Sequence, residues 1–237
     1  MVIGPGNHWR WQISLRPGED PAEAAIPART WQLLSRWLSP DDGELWRQSS
    51  YRFHALVAET WRAGRVFIAG DAAHMQPPFL GQSMCQGVRD AANLSWKLAA
   101  VLKGEVEGAA AEALLGSYGQ ERQAHVRDLT GWLKSAGAII CERDPAKARA
   151  RDAPLLAECG GVVRDTPRQD VLPKLAVGLL SARDSSGRGS LFPQPRLAGG
   201  ELMDLRCGTG WRLVLDASLD PRNPIPGLTM IALAAAS

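Results

Sequence analysis

The sequence predicts a mixed α/β (α+β) fold, and three observations predict it. Two segments alternate apolar and polar residues with the period of a half-buried strand. A short apolar run ends abruptly in a polar turn, and two long stretches repeat apolar residues at three- and four-residue steps, the period of a helix. With 237 residues, 45% of them hydrophobic and 22% charged, the chain has enough bulk to bury a core.

Taken in order, Trp9, Trp11, Ile13 and Leu15 alternate with Arg10, Gln12 and Ser14, a strand pattern closed by the turn pair Pro17-Gly18. Trp31, Leu34 and Trp37 or Leu38 fall at helical spacing after Thr30. Tyr51, Phe53, Ala55 and Val57 alternate with Arg52, His54 and Leu56, a second strand. Val66-Phe67-Ile68-Ala69, bracketed by Gly64 and Gly70, predicts a buried strand that runs into Asp71-Ala72-Ala73-His74. After Pro77-Pro78 and the loop Phe79 to Gly81, a helix is expected in which Met84, Val88, Ala91, Ser95, Leu98 and Leu102 form one apolar stripe. Arg89, Asn93 and Lys97 lie on another face, and Gly104 ends the helix. A second long helix is expected from about Ala109 to Ile140, with Glu121 and Arg122 as an exposed pair worth a few tenths of a kcal/mol. The basic-rich segment from Glu142 to Arg151 reads as a solvated helix face. Asp184 to Pro195 is turn-rich and marks a boundary, and Trp211 to Leu215 reads as a strand of a further small domain.

Composition narrows the function. Lys and Arg total 27 against 25 Asp and Glu, so no concentrated basic field points to nucleic acid or an anionic membrane. No apolar run approaches the roughly 18 to 20 residues of a membrane span, and a basic segment followed by an apolar leader is not seen, so a cytoplasmic location is expected. Cys85, Cys141, Cys159 and Cys207 are far apart, with no C-x-x-C pair and no clustered histidines, which argues for free thiols and against a metal site.

The chemistry concentrates around Asp71. An aspartate at the carboxyl end of a strand can accept hydrogen bonds from sugar-like hydroxyls. A helix that opens at Gly81-Gln82-Ser83-Met84 offers unpaired N–H groups and a positive dipole end to a group that becomes negative. Together they suit a polyhydroxylated, redox-active cofactor. An ordinary turn followed by an ordinary helix cap would show the same residues.

The full string is more specific. Gly64 to His74, Pro77-Pro78, Gly81-Gln82 and Gly87-Val88-Arg89-Asp90-Ala91-Ala92-Asn93-Leu94-Ser95-Trp96-Lys97-Leu98 resemble the third flavin motif of the class A FAD-dependent aromatic hydroxylases, the p-hydroxybenzoate hydroxylase-like superfamily. Within that family the 3-(3-hydroxyphenyl)propionate hydroxylase branch is most similar. The resemblance extends from Gly4-Pro5-Gly6-Asn7-His8 to Phe192-Pro193-Gln194-Pro195.

The resemblance implies a partial FAD/NAD(P)-binding flavoprotein hydroxylase fold. Residues 1–62 would be the end of a substrate-binding sheet domain, 63–185 a flavin-binding strand and helical region, and 186–237 a linker with a truncated thioredoxin-like stub. It also implies that Asp71 binds the ribityl chain of FAD, with Gly70 letting the backbone come close. Pro77 and Pro78 would pass beside the isoalloxazine ring, and the backbone at Gly81, Gln82, Ser83, Met84 and Cys85 would face its pyrimidine edge. The activity implied is NADH- or NADPH-driven hydroxylation of a phenolic acid by O2 through a flavin hydroperoxide. No catalytic side chain is assigned, and His74, Arg89 and Asp90 are more simply structural.

Two departures stand out. The family usually has Gly where this chain has Ser83, which would cost on the order of 1 kcal/mol if that position needed a positive φ. No Gly-x-Gly-x-x-Gly follows a strand, so the unit that holds the ADP half of FAD is expected to be missing from this sequence. This leaves two readings: a piece of a flavin-dependent monooxygenase, or a non-catalytic remnant or split half that docks to a partner carrying the dinucleotide fold. An exposed sheet edge would favour aggregation or a homodimer. An interaction module of the thioredoxin kind is disfavoured by the absence of C-x-x-C. Of nine tryptophans, Trp9, Trp11, Trp31, Trp37, Trp46 and Trp61 crowd the first 61 residues, where they are expected to pack beneath an aromatic-binding sheet.

Overall fold

The computed structural model describes residues 2–162, 165, 167, 171–197, 199–208, 210–218 and 229–233. The chain divides into two compact units, residues 1–189 and 190–237.

The first unit opens with the antiparallel pair β1 (Val2–Ile3) and β2 (Trp9–Arg10), in which Ile3 faces Trp9. Two short helices follow, α1 (Pro21–Ala24) and α2 (Pro27–Leu34), each started by a proline that presets the helical φ. The Asp20 carboxylate caps α1 by accepting from the Ala22 N–H at 2.9 Å. The alternation at Trp9 to Leu15 and at Tyr51 to Val57 yields less strand than expected. Only Trp9–Arg10 and β3 (Leu56–Val57) pair, because the other residues find no neighbouring strand among the described residues.

β4 (Arg62–Ala63) and β5 (Val66–Phe67) form a tight hairpin, with Gly64 at a φ of 58° in its turn. β6 (His74–Met75) pairs antiparallel with β3, His74 opposite Val57. The long helices α3 (Ser83–Leu102) and α4 (Gly108–Ile140) lie close to the periodic segments that predict them, and α5 (Pro145–Cys159) follows, N-capped by Asp144.

The core lies where β3 to β6 meet α4. Trp61, Ala73, Tyr118 and Val126 are its buried centre, with Val57, Ala58, Phe67, Ile68 and Leu94 around them. Tyr118 donates its hydroxyl to the Ile68 carbonyl at 2.8 Å, and its ring lies 5.7 Å from that of Trp61 and 6.2 Å from that of Phe67. Burial raises the Tyr118 pKa, with the nearby Asp90 charge adding to it. Leu129 and Leu133 continue the same face of α4.

α3 is seated the other way round from its apolar stripe. Met84 and Leu102 are each 78% exposed and Val88 also faces outward, whereas Gln86, Asp90 and Lys97 are fully buried. Polar groups tolerate burial when they are paired, and α4 supplies Arg122 for Asp90 and Gln86, and Glu121 and Ser117 for Lys97. Glu121 and Arg122, expected on the surface, are 3% and 4% exposed. The tryptophans are likewise redistributed: Trp61 is buried, but Trp9, Trp37 and Trp46 are exposed, and none lies beneath an extended sheet because β1 and β2 have two residues each.

In the second unit, helix α6 (Met203–Cys207) precedes two parallel strands, β7 (Arg212–Asp216) and β8 (Thr229–Leu233), with Val214 opposite Ile231. Met203 and Ile231 are buried. Part of the segment expected to be thioredoxin-like, residues 219–228 and 234–237, lies outside the described residues.

Candidate flavin site

Three pieces of the first unit converge here: the turn after β5, the loop before α3, and the start of α3. The turn Gly70–Ala72 is a single 3₁₀ turn entered through extended Ala69, with Gly70 at a φ of 58°. Gly70 lies against Gly87, one turn into α3. A Cβ built on Gly87 would sit 3.5 Å from the Gly70 Cα, so two glycines allow the turn and the helix to touch backbone to backbone. Asp71 is exposed, and among the described residues its carboxylate accepts no hydrogen bond.

The loop is fixed from below. The Phe79 ring occupies space that any side chain at Gly137 of α4 would fill, since a Cβ there would stand 2.4 Å from the ring. Leu80 and Gly81 both take a φ of 59°, a region costly for leucine and easy for glycine. Buried Gln82 holds this bend: its side-chain amide donates to the Leu80 carbonyl at 3.2 Å and accepts from Arg89 at 3.4 Å. α3 then begins at Ser83 with no side-chain cap. The first turn of this 20-residue helix, Ser83, Met84 and Cys85, therefore carries N–H groups at the positive end of the dipole with no side-chain bond from the N-cap residue. Ser83 is an ordinary helical residue, and the positive φ values fall at Leu80 and Gly81, so its replacement of glycine carries no backbone strain.

Behind these pieces lies a buried ionic cluster. Asp90 Oδ2 accepts from the Gly70 N–H at 3.0 Å and lies 2.8 Å from His74 Nε2, while Oδ1 accepts from Arg122 Nε at 2.8 Å. Arg122 also donates to Gln86 Oε1 at 2.5 Å. Burial pushes the Asp90 pKa up, but hydrogen bonds from His74, Arg122 and Gly70 outweigh it and hold the carboxyl below its usual range. A second cluster stands further along the same helices. Lys97 Nζ donates to Glu121 at 2.6 Å and to Ser117 at 2.7 Å; Glu121 also accepts from Asn93 at 2.7 Å and from the Leu179 N–H at 2.9 Å. Burial lowers the Lys97 pKa despite Glu121. His125, one turn beyond Glu121, is lowered to about 4 by burial and by the charges of Arg122 and Arg89.

The structure thus places Gly70, Asp71, Pro78, Gly81, Gln82, Ser83, Met84 and Cys85 on the turn, the loop and the first turn of α3. Asp71, Pro78, Gly81 and Met84 are exposed, and Gln82 is buried as a support. His74 and Asp90 are buried and meet each other, and Arg89 donates to Gln82. Local reading misses Gln86 and the Phe79–Gly137 contact, and it places Arg122 on the surface. Their signal is a polar stripe on α3, Gln86, Asp90, Asn93 and Lys97, at steps of four, three and four residues, which is helical periodicity written in polar residues. No cluster of potential metal ligands occurs among the described residues, and no described helix is long and apolar enough to cross a membrane.

Comparison with known proteins agrees with this geometry. The sequence model of the FAD binding domain matches residues 3–132. The chain is 36% identical over 217 residues to a probable NADH-specific resorcinol 4-hydroxylase of Rhodococcus jostii, covering 90% of this chain and 38% of that protein. It is 32% identical over 235 residues to a 3-(3-hydroxy-phenyl)propionate/3-hydroxycinnamic acid hydroxylase of Burkholderia vietnamiensis, covering 94% of this chain and 40% of that protein. Among solved structures, aklavinone-11 hydroxylase in complex with FAD and aklavinone superposes with a TM-score of 0.61 at 29% identity, over 85% of this chain and 38% of that one. The rebeccamycin enzyme RebC with reduced flavin shares the fold, with a TM-score of 0.64 at 23% identity over 86% of this chain and 44% of that one. The chain spans about two fifths of the length of the curated relatives it matches. With a family match over more than half of its residues and a glycine-aspartate turn set against an uncapped helix, this chain belongs to the FAD binding domain family.

Proposed function

We propose that this chain forms the flavin-ring side of a FAD-dependent monooxygenase that hydroxylates a phenolic substrate with NADH and O2. The observation that carries the reading is the juxtaposition of Asp71, exposed and without a protein partner among the described residues, with the uncapped start of α3, the two joined through Gly70 and Gly87. These residues fit FAD in chemistry. A carboxylate suits ribityl hydroxyls, and three N–H groups at a helix start suit the edge of the ring where negative charge collects on reduction. Bound FAD would supply electron transfer from NADH and the activation of oxygen.

The chain's own residues would do the rest. Asp71 would orient the ribityl chain, and the N–H groups of Ser83, Met84 and Cys85 would stabilise charge. Pro77 and Pro78, with no N–H to hydrate, would keep water from the ring face. The substrate class is a phenol of the kind named for the relatives, resorcinol or a 3-hydroxyphenyl carboxylic acid, and the relative's NADH specificity supports NADH as donor. A second reading, a split half that works by docking to a dinucleotide-binding partner, is favoured by the outward apolar residues Met84, Val88 and Leu102 of α3.

The test is co-expression with the portion of a curated relative that this chain does not match. Phenol-dependent NADH oxidation, with hydroxylated product, is expected from the pair. A pair that associates and binds FAD yet never oxidises NADH in response to resorcinol or 3-(3-hydroxyphenyl)propionate contradicts the monooxygenase reading and leaves the docking one.

A further inference from the structure

We propose that Asp90 is the positioning residue of the flavin site: its buried carboxylate, clamped by Arg122 and His74, sets the Gly70-Asp71 turn against the start of α3. The inference rests on the FAD reading above. Asp90 lies on α3 two turns beyond the helix start, and its side chain touches no surface. One oxygen accepts from the Gly70 N–H at 3.0 Å and meets His74 Nε2 at 2.8 Å. The other accepts from Arg122 of α4 at 2.8 Å, and Arg122 in turn binds Gln86, which lies one turn before Asp90 on α3.

The consequence is geometric. Gly70 is left-handed at a φ of 58°, and its N–H is the last main-chain donor before Asp71. Fixing that N–H fixes the direction in which Asp71 leaves the turn. Because the acceptor belongs to α3, the same bond sets the distance between the Asp71 carboxylate and the N–H groups of Ser83, Met84 and Cys85. A flavin bridging the two would need that spacing held to a fraction of an ångström, as prearranged sites do. His74, two residues past the turn on β6, anchors its far side to the same oxygen, so the turn is held at both ends. Contact with α3 through Gly87 sets how near the turn comes, and Asp90 sets its orientation.

A purely structural role for the cluster predicts something different: any replacement that restores stability should restore flavin binding. The experiment therefore uses the full chain with Asp90→Ala, Asp90→Asn and the double variant Asp90→Leu/Arg122→Met, which removes both charges while filling the space. Two readouts are taken: FAD titration by flavin fluorescence, and hydrogen exchange of the Gly70 amide without flavin. Asp90→Asn keeps an acceptor for Gly70 and is expected to weaken FAD binding by about tenfold or less. Asp90→Ala and the double variant are expected to weaken it by about 10- to 100-fold. The double variant should match the parent's resistance to urea yet show fast Gly70 exchange. A Leu129→Val control should lower stability while leaving FAD affinity unchanged.

Parental FAD affinity in a stable Asp90→Leu/Arg122→Met protein overturns the assignment and leaves the FAD reading intact. Slow Gly70 exchange in that protein overturns it as well. A parent chain that shows no saturable FAD binding overturns the FAD reading and this inference with it.

Discussion

Residues 56–140 and residues 1–55 share an appetite for aromatic side chains and end in opposite states. In the later region Trp61 is buried between His74 and Tyr118, their ring centroids 5.6 and 5.7 Å away. In the earlier one Trp46 stacks on His8 at 4.9 Å but remains 80% exposed, and Trp11 and Trp37 lean on each other at 5.4 Å. What differs is the surroundings. α4 offers residues 56–76 a continuous wall: Gln76 donates to Thr130 of α4, while Tyr118 and Gln123 of α4 donate to the Ile68 and Ala58 carbonyls. Residues 1–55 fold into elements of eight residues or fewer, and Leu34 is their one buried hydrophobic residue among those described. Aromatic content sets how much surface can be buried; the opposing helix decides whether it is.

The comparison breaks most easily at the ionic cluster. Arg122→Met should cost about 3 to 5 kcal/mol in urea unfolding, because it leaves the Asp90 carboxylate buried without its charge partner. A loss near zero would mean that the later region is held by apolar contacts alone. Acid gives the next largest effect. His125 protonates at about 4 in the folded chain and at 6.5 when unfolded, so below 6.5 the unfolded state takes up the proton first. The stability present at neutral pH should therefore fall by roughly 2 to 3 kcal/mol as pH drops from 6.5 to 4. His125→Gln should flatten that part of the stability profile, leaving the further loss below it to Asp90 and Glu121, whose carboxyls are held low.

Gly137→Ala is a smaller wedge. It forces the Phe79 ring away from α4 and should cost about 1 to 3 kcal/mol while disturbing the loop that carries Pro78. Smallest of all is Trp46→Ala, expected to change stability by less than about 0.5 kcal/mol, against about 3 to 5 for Trp61→Ala. Equal losses at the two tryptophans would erase the distinction between the regions.

The same distinction explains what could be read from the amino acids. The long helices were legible because α3 and α4 have clear periodicity, with Gly104 between them, and the Gly70-Asp71 turn was legible from the longer string Gly64 to Leu98 in which it stands. Orientation was not. Apolar Met84, Val88 and Leu102 suggest an inward face, yet Asp90 and Lys97 turn inward since Arg122, Glu121 and Ser117, twenty to thirty-two residues away, satisfy them. A local pattern ranks faces by hydrophobicity and has no knowledge of partners that distant. Glu121 and Arg122 were misread for the same reason: adjacent on the chain, they belong to two different clusters. The strands at Trp9 to Leu15 and Tyr51 to Val57 fell short because alternation describes a pleat and says nothing of the neighbour needed to pair with it.

The central claim is that Asp71 and the start of α3 form one flavin-binding surface that recognises the ring and the ribityl chain. Its most direct test is fluorescence titration of the chain with FAD and with FMN, which share those parts, using Asp71→Ala as control. Saturable binding of both, with affinities within about tenfold of each other and lost together in Asp71→Ala, is the predicted result. Binding of FAD that is indifferent to Asp71→Ala, or no binding of either, would contradict it.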